Sequence, residues 1–104
     1  MKKILLAGLL LFGISLDLIA NDSVLSCGDN NGYAIQKLKQ VGGFWDDQAV
    51  QICKDIALTA RLMGKNERDL FNQIISDSKK RTGTTAGNIV MKTAYLLSYA
   101  KQSQ

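Results

Sequence analysis

The sequence predicts an all-α protein: a small compact bundle of three to four helices, stapled by one disulfide. Three observations carry that prediction. Apolar residues recur at three- and four-residue spacing in successive stretches, and nowhere alternate long enough to make a strand. Glycine, asparagine and aspartate fall where helices end and begin, and the chain has no proline to interrupt them. Finally, only two cysteines are present, Cys27 and Cys53, downstream of a segment laid out like an export signal.

That segment sets the reading of the rest. Lys2 and Lys3 precede the apolar run ILLAGLLLFGI, residues 4–14, and Leu18 to Ala20 precede polar Asn21. A positive start, a short apolar core and a small residue before a polar one define a secretory signal peptide, expected to be cleaved after Ala20. The run is shorter than the ~20 residues a membrane-spanning helix needs, so no integral membrane segment is expected in the mature chain. Residues 21–104 then form a single helical domain, periplasmic or secreted. Without Lys2, Lys3 and Asp17, the 13 basic and 9 acidic residues fall to 11 and 8, a net charge of +3. A domain of this size buries little core and profits from a staple.

The use of Cys27 follows from elimination. A lipid anchor needs an apolar run reaching nearly to the cysteine; VLSC is a passable lipobox, but Asp17, Asn21 and Asp22 interrupt what precedes it. A metal site needs three or four ligands of imidazole or thiolate type, and the chain has no histidine. A thiolate nucleophile needs a base beside it. Two thiols in an oxidising compartment are left to pair, so a Cys27–Cys53 disulfide is expected.

Residues 21–32 are turn formers. A first short helix starts near Tyr33, buries Ala34, Ile35, Leu38 and Val41, and ends at Gly42 and Gly43. The second is the clearest: Asp46 caps it, Asp47 complements the first-turn dipole, and Gly64 ends it. Ala49, Ile52, Cys53, Ile56, Ala57, Ala60 and Met63 share its inward face. Phe44 and Trp45 just before it are expected to staple its start against Val50 or the first helix. Asn66 caps a third helix with a capping-box partner in Asp69 and a narrow stripe of Leu70, Phe71, Ile74 and Ile75. Residues 76–85 read as a polar loop with an exposed basic patch. A fourth helix, from about Thr85 to Ala100, turns Ile89, Val90, Thr93, Ala94, Leu97 and Ala100 inward.

The functional inventory is short. No catalytic residues, cofactor or metal are expected. Glu67, the one glutamate, sits in a helix first turn, where its charge already has a structural use. Lys79, Lys80 and Arg81 are the densest charge, read as a solvated loop or as a basic rim for an acidic protein surface rather than a nucleic-acid site. Tyr95, Leu96 and Tyr99 add a second apolar face to the fourth helix. They either belong to the core, covered by the first helix, or, since a bundle this small has little interior for them, form a protein interface, first of all with a second copy in a homodimer. Short exported bundles held by one disulfide resemble periplasmic binding and protective proteins, such as immunity proteins and small acid-stress chaperones, at the level of architecture. The expected function is therefore an exported protein-binding protein, an immunity protein or inhibitor that occludes its partner. The alternatives are an enzyme or enzyme subunit of cell-wall metabolism, or a structural accessory of an envelope machine.

Overall fold

The computed structural model describes residues 24–104; the expected signal peptide, residues 1–20, lies outside the described residues. Four helices follow in order: α1 Tyr33–Gly42, α2 Asp46–Met63, α3 Glu67–Lys80 and α4 Thr85–Gln102. Connections of three or four residues keep sequence neighbours packed side by side. α2 and α4 are the hubs: each packs against the other three helices.

Local chemistry explains most of the boundaries. Gly43 and Gly64 hold left-handed backbone at φ 67° and 68°, a conformation that costs glycine little, and their N–H groups close the last turns of α1 and α2. Asn66 accepts the Asp69 N–H at 2.9 Å, and Thr84 accepts the Gly87 N–H at 3.0 Å, each satisfying an orphan donor of a helix start. The cap of α2 departs from expectation. Trp45 occupies the cap position and Asp46 and Asp47 lie in the first turn. Gln48 supplies the cap instead, its side-chain oxygen accepting the Trp45 N–H at 3.0 Å. Asp46 reaches across to Lys39 of α1 at 2.7 Å.

The core gathers Ile35 and Leu38 of α1, Ala49, Cys53, Ile56 and Ala60 of α2, Phe71 and Ile74 of α3, and Ile89 of α4. Ile52 of α2 and Val41 of α1 pack against its edge. Thr59, not among the residues expected on the inward face of α2, is buried too, its hydroxyl satisfied by donating back to the Asp55 carbonyl at 2.7 Å. Phe44 packs on the core, but Trp45 turns outward, 77 % exposed, so the staple is made by Phe44 alone.

Residues 24–32 are a strap across the bundle. Cys27 is bonded to Cys53 on the inward face of α2, and Leu25 is buried beside it. The Leu25 N–H donates to Glu67 Oε1 at 3.1 Å, while Arg61 meets Glu67 Oε2 at 3.3 Å. Glu67 thus ties strap, α2 and α3 together.

The largest correction falls at the end of α3. Residues 76–80, expected in a loop, are helical, and the connection to α4 is only residues 81–84. Ser78 is buried, its hydroxyl without a partner, while Lys79 and Lys80 remain exposed in the last turn, where cations favour the helix dipole. Asn88 of α4 then fastens the turn, its amide donating to the Ser78 and Thr82 carbonyls at 3.0 and 3.2 Å.

Candidate protein-docking surface on α4

α4 has almost no polar side. Between Thr85 and Gln102 its charged residues are Lys92 and Lys101, and it has no carboxylate. A helix this poor in charge has little that demands solvent. Its neighbours cover only part of it. Ile89, Thr93 and Ala100 are buried, whereas Val90, Met91, Ala94, Tyr95 and Tyr99 are exposed. Val90 and Ala94, expected inside, are therefore outside, and Leu97 is half-buried. α2 and α3 pack on the strip through Ile89, Thr93 and Leu96, and the 100° step per residue rotates Val90 and Ala94 out of that contact.

The three expected interface residues separate. Tyr95 and Tyr99 are 66 % and 54 % exposed, one turn apart, and with Met91 at 70 % they form a ridge at i, i+4 and i+8. Leu96 leans the other way and packs on the edge of the core. α1 lies against α4 without covering the tyrosines.

The basic residues separate as well. Arg81 lines a hollow of about 300 Å³ with Asn88, Met91, Lys92 and Tyr95, which brings one of the expected rim cations to the expected interface. Lys79 and Lys80 face elsewhere. They line a second hollow, about 320 Å³, with Tyr33 and Lys37 of α1 and Asn72, Ile75 and Ser76 of α3. There the Tyr33 hydroxyl donates to Asn72 Oδ1 at 2.8 Å, its ring meets Phe71 edge-on, and the Arg68 guanidinium stacks 3.8 Å above it. A third hollow, about 190 Å³, is lined by Met63, Lys65, Leu70, Gln73, Ile74, Lys92 and Leu96. Sequence reading missed Lys92, which lines both hollows along α4; a lone lysine in an apolar helix was the available signal.

Among the described residues, no three His, Cys, Asp or Glu side chains gather as a metal site would need, and no helix is long and apolar enough to cross a membrane. No protein-family model matches the chain, and neither a curated protein nor a solved structure matches it.

Proposed function

We propose that this chain is a small exported protein-binding protein, periplasmic or secreted, which docks on another protein and occludes it in the manner of an immunity protein or inhibitor. The observation that carries the reading is the ridge of Met91, Tyr95 and Tyr99. Contiguous exposed apolar side chains mark contacts, and tyrosine is favoured there because its rigid ring contributes large area at little entropic cost. The disulfide supports export, since such bonds persist in oxidising compartments. It also fixes the scaffold that presents α4. Glu67 is held by Leu25 and Arg61, which supports a structural use for the side chain that a cell-wall enzyme would need as an acid.

The same ridge closes a homodimer in this reading, because a two-fold axis lays one patch against its own copy. Sedimentation of the oxidised protein tests that part. The wild type should be dimeric at high micromolar concentration, and Tyr99→Asp should be a folded monomer. A wild type that stays monomeric throughout removes the homodimer. Cross-linking and co-purification from the periplasm test the wider reading: recovery of the wild-type chain alone, with no partner, would remove it.

A further inference from the structure

Two hollows adjoin along the α3–α4 seam, separated by one side chain. Lys92 lines both. On one side stand Arg81, Asn88, Met91 and Tyr95; on the other stand Met63, Lys65, Leu70, Gln73, Ile74 and Leu96. The groove therefore runs along the α3–α4 seam, from the turn that joins the two helices toward the turn before α3. Leu70 to Arg81 is eleven residue steps, about 16 Å at ~1.5 Å per residue, or three helical turns.

Its walls have a consistent chemistry. Met63, Leu70, Ile74, Met91, Tyr95 and Leu96 offer an apolar bed, and Lys65, Arg81 and Lys92 are spread along it. No carboxylate lines either hollow, although Asp77 lies one turn before Arg81 on α3. The ion pairs among the described residues are Lys39–Asp46 and Arg61–Glu67, so none of the three groove cations is held in a direct ion pair, and the carboxylate nearest to them in sequence along the seam is half-buried Asp77. Lys92 is half-buried, which makes its lack of a partner more costly than that of a fully solvated lysine. A second copy laid α4 against α4 would add no carboxylate, because α4 has no acidic residue.

From this we infer that the α3–α4 groove is the seat for an acidic amphipathic helix of a different protein. That helix is about three turns long, with apolar anchors on one face flanked by glutamates or aspartates. Its apolar side chains enter on either side of Lys92, and its carboxylates meet Arg81, Lys92 and Lys65. This is helix-in-groove recognition, with charge setting orientation and partner choice. The inference rests on the reading of the chain as a protein-binding module and adds the chemistry of the partner. The Tyr95–Tyr99 ridge stands at the groove's edge, so an incoming helix and the second copy of the homodimer compete for Met91 and Tyr95.

Fluorescence anisotropy with synthetic peptides tests it on the oxidised protein. The probe is a labelled, helix-stabilised peptide of roughly three turns with leucines at i, i+3, i+4 and i+7 and glutamates at the flanks. Two controls accompany it: the same peptide with lysines for glutamates, and a scrambled peptide of identical composition. The glutamate peptide should bind in the micromolar range and weaken several-fold as salt rises from about 0.05 to about 0.5 M. Lys92→Glu and Arg81→Glu should each weaken it by about tenfold or more. Lys80→Glu changes net charge equally but lies outside the groove, and should leave affinity within about twofold. Circular dichroism verifies folding of each variant, and exposed Arg81 keeps the test decisive if Lys92→Glu does not fold. Equal binding of the scrambled peptide, or equal loss from Lys80→Glu, would show non-specific attraction and overturn the inference. Absence of binding overturns the groove alone; the docking reading then stands or falls on the cross-linking of the wild-type protein.

Discussion

Replacing both cysteines by alanine is the most informative perturbation of the scaffold, because its cost is calculable from the fold. The bond joins residues 26 apart. In the loop-closure model, releasing a loop of that length returns entropy to the unfolded chain worth about 3.5 kcal/mol at 25 °C. Cys53 is fully buried, so losing its sulfur adds about 1 kcal/mol of packing. The sum, about 4.5 kcal/mol, compares with a total stability of about 4–12 kcal/mol for a domain of this size. At roughly 6 °C per kcal/mol, the melting temperature of Cys27→Ala/Cys53→Ala should fall by about 25 °C. Thermal melts followed by circular dichroism measure it. Urea titration gives a second readout: the denaturant slope should rise, since an uncross-linked chain exposes more surface when unfolded. The full loss requires that the strap stay docked in the variant, through buried Leu25 and its N–H bond to Glu67. A drop of less than about 8 °C, with an unchanged slope, would refute the reasoning. It would mean that residues 24–32 detach on their own and that the bond constrains a segment on which the bundle does not depend.

Other outcomes follow from single side chains. The Thr93 hydroxyl is buried in α4 without a partner, so Thr93→Val keeps the shape, removes the unpaired group and should stabilise by about 1 kcal/mol in urea titration. Asn88→Ala should destabilise by about 1–2 kcal/mol by the same measurement, because it frees the two carbonyls, of Ser78 and Thr82, that fasten the α3–α4 turn. It should also loosen the Arg81 end of the groove, which faster amide exchange of residues 81–84 would report.

What the sequence determined by itself was local. The four helices, the glycine ends of α1 and α2, the Asn66 cap and the pairing of Cys27 with Cys53 follow from 3.6-residue periodicity, cap chemistry and the scarcity of other uses for a thiol. These signals act within a turn or two of the chain, or by exclusion, and need no neighbour to be read. The surplus of apolar residues on α4 was legible for the same reason. Tertiary packing decided the remainder. Residues 76–80 looked like loop because their side chains are polar, yet the turn stays helical with Ser78 buried against the bundle and Asn88 closing the Ser78 and Thr82 carbonyls. The period of α4 marked Ile89, Thr93 and Ala100 as inward, but with apolar residues also on the neighbouring strips it did not fix how wide the buried face would be. Contact with α2 and α3 made the choice, turning Val90 and Ala94 out and Leu96 in. The groove exists only because α3 and α4 lie side by side, bringing Arg81, Lys92 and Lys65 from separate parts of the chain onto one seam.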